Sequence, residues 1–131
     1  MHKALERRRA EREERLSRAR AFAEEAQKAL SAVSIWVYGS VARGAFNLGS
    51  DVDVFLVAEN LPEHPLTRSE LLFRWGPPGV EPKGLTKGEF LRALAKKDAQ
   101  LLRALRDRVL IRDDLGLEPL LAELTGAGPR S

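Results

Sequence analysis

Two aspartates stand two residues apart at the start of an apolar stretch, in Asp51-Val52-Asp53. Residues two apart on a β-strand point to the same face, about 6.5–7 Å from each other. Two carboxylates placed in this way repel each other unless a cation sits between them, and hard divalent ions such as Mg²⁺ prefer such oxygen ligands. A pair of these ions, roughly 4 Å apart, can hold the attacking and leaving oxygens of a phosphoryl displacement. The pattern therefore indicates phosphoryl or nucleotidyl transfer.

A second polar cluster precedes the aspartates, where Gly39 and Ser40 follow a short apolar run. A glycine after a strand lets the backbone approach a ligand closely, and the next N–H groups can point at phosphate oxygens. Ser40 adds a hydroxyl donor, and a helical turn starting here would direct its positive end to the same phosphates. Arg43 lies one helical turn beyond Ser40, so its guanidinium can reach a triphosphate. We expect these three residues to bind nucleotide phosphates.

Each pattern alone has a plainer explanation. A Gly-Ser pair after a strand is most often only a turn, and Asp-x-Asp is common on solvated loops. The combination is more specific, because each pattern follows or opens a predicted strand and ten residues separate Ser40 from Asp51. The apolar Val52, Val54 and Phe55 further indicate that the aspartate strand belongs to a sheet.

The elements that must position these residues follow from periodicity. Residues 1–33 lack Gly and Pro and predict a long N-terminal helix whose first turns project beyond the domain or meet a partner. Strands are predicted over 34–38, 51–58, 80–85 and 109–112, with the third interrupted by Pro82 and therefore at an edge. Helices are predicted over 67–75 with Thr67 as its cap, 86–97 with a Thr86–Glu89 capping box, 99–107 and 118–124.

This order predicts an α/β (α+β) fold, a small mixed sheet of three or four strands flanked by helices. At 131 residues the chain fits one domain. We expect that domain over 1–125, with the N-terminal helix at 1–33, a catalytic-type core at 34–112 and a C-terminal helix at 113–125. Residues 126–131 are expected to form a flexible tail.

The amino-acid composition excludes several kinds of site. The chain has no cysteine, which excludes disulfides, thiolate catalysis and a cysteine zinc site, and its two histidines lie far apart. It shows no signal peptide and no apolar run long enough to span a bilayer, so we expect a cytoplasmic protein without a membrane partner. Residues 1–20 hold seven arginines and one lysine against four glutamates. Nucleic-acid binding would be concentrated there, but a solvated or partner-docking helix is the simpler interpretation.

The segment Gly39-Ser40-Val41-Ala42-Arg43-Gly44, followed by Ser50-Asp51-Val52-Asp53, resembles the motif of the DNA polymerase β-like nucleotidyltransferase superfamily. It is most similar there to the minimal nucleotidyltransferase (MNT) domains of bacteria and archaea. The motif covers residues 38–57, and the length and element order agree over about 16–112. The resemblance implies a nucleotidyltransferase-like fold, phosphate binding by Gly39 and Ser40 and metal binding by Asp51 and Asp53, with Arg43 at the triphosphate.

Active members of this superfamily carry a third carboxylate on a later strand. Glu81 is the best match here, and its implied roles are metal ligation and acceptance of the proton of the attacking hydroxyl. The alternative is an ordinary solvated glutamate beside Pro82. Lys83 shares a strand face with Glu81 and could reach a phosphate, although a surface lysine is the simpler interpretation.

Two functions remain open from the sequence. The first is an enzyme that uses two Mg²⁺ ions to move a nucleoside monophosphate from an NTP, with ATP expected, to an acceptor hydroxyl, releasing pyrophosphate. The chain is too short to hold a separate acceptor domain, so a partner protein or a second copy must supply one. By resemblance, that partner is a HEPN-family toxin and this chain is its antitoxin. The second function is an inactive interaction module that binds a helical partner.

Overall fold

The computed structural model describes residues 2–131, which form a four-stranded mixed sheet with helices on both faces. The strands are β1 (Val33–Tyr38), β2 (Val52–Ala58), β3 (Val80–Thr86) and β4 (Val109–Asp113). Their order across the sheet is β3-β2-β1-β4. β1 runs antiparallel to both β2 and β4, whereas β2 and β3 run parallel. The end of β1 and the starts of β2 and β3 therefore meet at one end of the sheet.

Within residues 2–131, six helices connect and cover these strands. They are α1 (His2–Leu30), α2 (Gly39–Arg43), α3 (Pro65–Arg74), α4 (Lys87–Ala95), α5 (Ala99–Ala104) and α6 (Glu118–Thr125). No helix among the described residues is both long enough and apolar enough to cross a membrane. The parallel β2 and β3 are joined through α3, as parallel neighbours require a crossover connection.

The period-two alternation of the strands divides the core between the two faces of the sheet. On one face, Val52, Val54 and Leu56 of β2 pack with Phe22 of α1 and Leu72 of α3. On the other face, aromatic and leucine side chains of the strands pack with α4, α5 and α6; these include Trp36, Phe55, Phe90, Leu105 and Leu121. Both faces are buried, which explains the nearly continuous apolar sequence of β1 and β2.

The predicted fold class is confirmed, and most elements begin and end within a few residues of expectation. β3 is an edge strand, as Pro82 predicts, and Thr86 and Glu89 form the expected reciprocal capping box. The predicted cap of α3 at Thr67 is wrong. The helix begins at Pro65, because proline suits the first helical position and Nδ1 of His64 accepts a hydrogen bond from the Leu66 N–H.

Residues near the C-terminus are held against the start of β4. The fully buried Arg108 forms an ion pair with Glu118, and one of its Nη atoms donates to the carbonyl oxygen of Ala127. The N–H of Arg130 donates to the Arg108 carbonyl oxygen at 2.7 Å. Ala127 and Arg130 are therefore hydrogen-bonded to Arg108, although they lie in residues 126–131, which the sequence predicts to be a flexible tail. The predicted domain boundaries themselves stay a prediction.

Candidate functional site

The sheet register places two of the expected carboxylates side by side. Asp53 of β2 pairs with Glu81 of β3 in the parallel ladder, and Tyr38 of β1 pairs with Asp53 in the antiparallel ladder. Neighbouring strands lie about 4.8 Å apart, so these three residues form a row across one face of the sheet end. The register could not be predicted from the sequence, because it depends on how the crossover connection through α3 positions β3 beside β2.

Asp51 lies immediately before β2 and joins the same sheet end. The N–H of Val52 donates to the carbonyl oxygen of Gly79 at 2.7 Å, which holds the chain before β2 beside the chain before β3. Asp51 and Glu81 are exposed and line one groove of about 540 Å³. We call this the carboxylate groove; Phe73, Pro77, Pro78 and Gly79 also line it.

The turn at Gly39 is packed directly against Asp53. Gly39 has a φ of 73°, a left-handed conformation that L side chains rarely adopt, and a Cβ at this position would overlap the Asp53 carboxylate. α2 starts at Gly39, and no side chain caps it, so its first backbone N–H groups have no side-chain partner. The structure thus packs Gly39 against the Asp53 carboxylate, and Ser40 follows it as the second residue of α2. Phosphate binding by these two residues stays a prediction.

The charges around Asp53 are mixed. Burial raises the pKa of the Asp53 carboxyl above its usual range, and the nearby carboxylates of Glu81 and Asp51 raise it further. Lys83 and Arg43 oppose this effect and lower the pKa. Arg43 is the last residue of α2, and Lys83 is on β3, two residues after Glu81.

Tyr38 is a member of the site to which sequence reasoning assigned no role. Burial raises the pKa of its phenol to about 12, and the Asp53 and Glu81 carboxylates add to the shift. Its ring also meets Phe55 edge-on, with the centroids 6.3 Å apart. With Phe55, Lys83, Leu85 and Leu101, it lines a second groove of about 260 Å³, here called the lysine groove. The sequence feature that could have identified Tyr38 as a site residue is its position directly before Gly39, at the end of an apolar strand.

The donor set suits a hard divalent cation. All three side chains are carboxylates on one sheet end. Burial raises the pKa of Asp53 most, and Glu81 and Asp51 add a repulsion that a bound cation would relieve. Over residues 2–131, however, no three His, Asp or Glu side chains converge closely enough to form a finished metal-binding cluster. Asp51 and Glu81 are exposed, so they can change rotamer towards an ion. Their roles as ligands stay a prediction.

Arginines of α1 hold the loop between the two motifs. Arg12 donates to the carbonyl oxygens of Val41 and Ala42, at the end of α2. The buried Arg15 donates to the carbonyl oxygens of Asn47 and Leu48 at 3.0 and 3.2 Å.

Arg8 completes this set of contacts. Its guanidinium donates to the carbonyl oxygen of Gly44 at 2.9 Å and lies over the ring of Phe46 at 3.9 Å, with Arg15 over the same ring at 4.6 Å. The expectation that the first turns of α1 project beyond the domain is therefore wrong from Arg8 onward. The signal that sequence reasoning missed is the 8, 12, 15 spacing, which places three arginines on one helical face.

A known protein family matches most of this chain. The family model of the nucleotidyltransferase domain matches residues 16–124, which include both motifs and all four strands. Among curated proteins, none matches the chain significantly in sequence.

Two solved structures share the fold. A Sulfolobus solfataricus protein described as a nucleotidyltransferase superimposes with a TM-score of 0.60 at 23% identity, over 79% of this chain and 84% of that chain. A chain from a toxin–antitoxin structure with AMP-PNP superimposes with a TM-score of 0.52 at 13% identity, over 81% of this chain and 82% of that one. At these identities the likeness concerns the fold.

Proposed function

The chain belongs to the nucleotidyltransferase domain family, and from this premise we propose that it transfers a nucleoside monophosphate from ATP to an acceptor hydroxyl on a partner protein. The observation that carries the proposal is the grouping of Gly39, Asp53 and Glu81 at one end of the sheet. The turn at Gly39 packs on the Asp53 carboxylate, and Glu81 lies beside Asp53 in register.

Each residue has a distinct task in this proposal. The N–H groups after Gly39 and the Ser40 hydroxyl hold the phosphates, and Arg43 pairs with their charge. Asp51, Asp53 and Glu81 are the side chains that would hold two Mg²⁺ ions, which when bound neutralise the phosphates and polarise the reacting oxygens. We also assign proton acceptance to Glu81, and its greater exposure than that of Asp53 supports this role.

The reaction is an in-line displacement at the α-phosphorus. The acceptor oxygen forms a bond to that phosphorus, the bond from phosphorus to the bridging oxygen of the β-phosphate breaks, and pyrophosphate leaves with the electron pair. The acceptor proton passes to the Glu81 carboxylate. The residues of this chain act mainly by positioning and charge, which is the usual basis of phosphoryl-transfer catalysis.

We further propose that the acceptor belongs to a HEPN-family toxin, with this chain as its antitoxin. The fold shared with a chain of a toxin–antitoxin structure supports a protein partner. We expect the pair to act in the cytoplasm.

An inactive interaction module is the second candidate. The observation that favours it is that Asp51 and Glu81 do not close on Asp53 as a finished cluster within the described chain. Such a module would bind its partner without consuming ATP.

Label transfer distinguishes the two candidates. The protein is incubated with Mg²⁺, ATP labelled at the α-phosphate and the protein encoded by the neighbouring gene. We expect label on the partner, reduced by at least about 100-fold in Asp51→Asn and in Asp53→Asn. Asp107→Asn, an aspartate paired with Arg130 away from the site, is the matched control and should transfer label normally. A stable complex without label would favour the inactive module.

A further inference from the structure

Three of the seven large hydrophobic side chains that residues 2–131 expose border one groove. Leu91 of α4 is 37% exposed, and Leu120 and Leu124 of α6 are 41% and 38% exposed. With Ala95 and the buried Leu94, they line a cavity of about 350 Å³ between α4 and α6, here called the leucine groove. Single exposed leucines are ordinary, whereas a contiguous apolar surface is typical of an interaction site.

The leucines of this groove are not needed for the core of the chain itself. Phe90 of α4 and Leu121 of α6 are fully buried in the core beside the sheet, so each helix already has an inner apolar face. Leu120 and Leu124 lie four residues apart, which places them on one side of α6, and α4 presents its pair at the same spacing. Two such rows on neighbouring helices form a groove that a third helix can fill with its own apolar ridge.

The rim of the leucine groove is basic. Lys97 lines the groove, and the exposed Arg103 and Arg106 line an adjoining cavity of about 250 Å³ that shares Leu124 with it. Glu123 is the one carboxylate among the described residues that line the two cavities. Within residues 2–131, none of the three cations forms an ion pair.

This charge favours an acidic partner. The nearby aspartates are engaged elsewhere, because Asp98 caps α5 by accepting from the Leu101 N–H at 3.0 Å and Asp107 pairs with Arg130 at 2.8 Å. The rim therefore keeps a positive surplus that attracts carboxylates. The long α1 of a second copy is a poor match, because residues 1–20 hold seven arginines and one lysine against four glutamates.

We propose that the leucine groove binds an amphipathic helix of another protein, one that carries leucine-type side chains on one face and carboxylates beside them. The apolar row of that helix lies between α4 and α6, and its carboxylates pair with Lys97, Arg103 and Arg106. None of the described residues that line the leucine groove also lines the carboxylate groove or the lysine groove. The proposal thus goes beyond the proposed function and does not depend on nucleotidyl transfer.

A designed peptide tests this binding directly. The probe is an acetylated and amidated peptide of about 18 residues, with leucines at spacings of three and four and glutamates at the flanking positions. One control peptide has lysine in place of each glutamate, and the other has the composition of the probe in a shuffled order. We expect the probe to shift the amide signals of Ala95, Leu120 and Leu124 in ¹⁵N-labelled protein, and both control peptides to bind at least about tenfold more weakly.

Variants of the groove separate the apolar contact from the charge. Leu124→Ala should raise the Kd of the acidic peptide about fivefold, and Leu66→Ala, at an exposed leucine of α3, should leave it unchanged. Arg103→Glu should also raise the Kd about fivefold and should reduce its dependence on salt, whereas Arg7→Glu, at an exposed position of α1, should do neither. Because Arg103→Glu leaves the leucines in place, it tests the proposal even if Leu124→Ala weakens the fold, which urea unfolding measures.

Several results would overturn the helix-binding surface. They include no shift at Leu120 and Leu124 with millimolar acidic peptide, equal affinity for either control peptide, and a Kd that neither Leu124→Ala nor Arg103→Glu changes. Phosphatidylglycerol vesicles and a short RNA are the other occupants that a basic rim could attract. Tighter binding of either one than of the acidic peptide, weakened by Leu124→Ala, would give the groove to that occupant. A homodimer that dissociates in Leu124→Ala, measured by sedimentation, would give it to a second copy.

Discussion

Gly39 and Asp53 are in direct contact, because the Asp53 carboxylate occupies the space that a side chain at position 39 would need. The contact joins the two sequence motifs, which are separated by ten residues between Ser40 and Asp51, into one site. It also fixes the distance between the proposed phosphate-binding N–H groups and the central carboxylate.

Gly39→Ala should abolish transfer, because the new methyl group displaces the Asp53 carboxylate. Gly44→Ala is a matched control: its φ is 74°, nearly that of Gly39, but no atom of a non-neighbouring residue lies within 4 Å of the place where its new methyl group would stand. Both variants should lose about 1–2 kcal/mol of stability from left-handed strain, measured by urea unfolding. Only Gly39→Ala should lose at least about 100-fold in activity. Equal activity losses would show that strain alone, not contact with Asp53, is responsible.

Arg15→Ala should loosen the loop that leads to Asp51. Arg15 is 5% exposed and donates to two loop carbonyl oxygens, so its loss should cost about 2 kcal/mol of unfolding free energy. Hydrogen exchange should also accelerate over residues 44–50. Arg9→Ala, at an exposed position of the same helix, should change stability by less than about 0.5 kcal/mol. Unchanged exchange over 44–50 in Arg15→Ala would contradict the role given to this arginine.

The buried pair of Arg108 and Glu118 predicts a non-additive stability series. Arg108 is fully buried, and Oε1 of Glu118 also accepts a hydrogen bond from the Trp36 indole at 3.0 Å. Arg108→Met alone leaves a largely buried carboxylate without its partner and should cost about 3–5 kcal/mol. Adding Glu118→Gln, which keeps an acceptor for Trp36, should recover part of that loss. Urea unfolding of the two single variants and the double variant measures the coupling, and simple additivity would contradict it.

Glu89 should account for part of the loss of folding stability at acid pH. Hydrogen bonding from the Thr86 N–H, and then from Arg68, holds the pKa of the Glu89 carboxyl below its usual range. The ionised group therefore stabilises the fold above the unfolded pKa, about 4.3, and the contribution is lost as the pH falls through the folded pKa.

Glu89→Gln should therefore flatten the dependence of stability on pH below about pH 5. Glu70→Gln, at an exposed glutamate of α3, is the control. Urea unfolding at several pH values between about 3 and 7 tests this, and a slope in Glu89→Gln as steep as in the unchanged protein would refute it.

Features formed by residues close together in the chain could be predicted from the sequence. The way in which distant residues come together in the site could not. The turn at Gly39, the aspartates at the start of β2 and the Thr86–Glu89 capping box each depend on residues close together in the chain. The register of Asp53 with Glu81 depends on a crossover of more than twenty residues between them, which no short pattern specifies.

The contacts made by the arginines of α1 could not be predicted for a different reason. Their spacing was visible, but a basic helical face beside glutamates usually indicates a solvated surface. Only the packed structure shows Arg12 and Arg15 donating to carbonyl oxygens of α2 and of the following loop. Likewise, the sequence identifies Tyr38 only as the last residue of a strand. Its place in the site follows from its antiparallel pairing with Asp53, which the structure shows.

The fate of the ATP phosphates decides whether this site carries out nucleotidyl transfer. With Mg²⁺ and the neighbouring gene's protein as acceptor, parallel reactions use ATP labelled at the α- or the γ-phosphate. We predict that α-label becomes covalently attached to the acceptor, that γ-label is recovered only in pyrophosphate, and that Glu81→Gln greatly slows both processes. Transfer of γ-label to the acceptor, or α-transfer equally fast in Asp53→Asn, would contradict nucleotidyl transfer at this site.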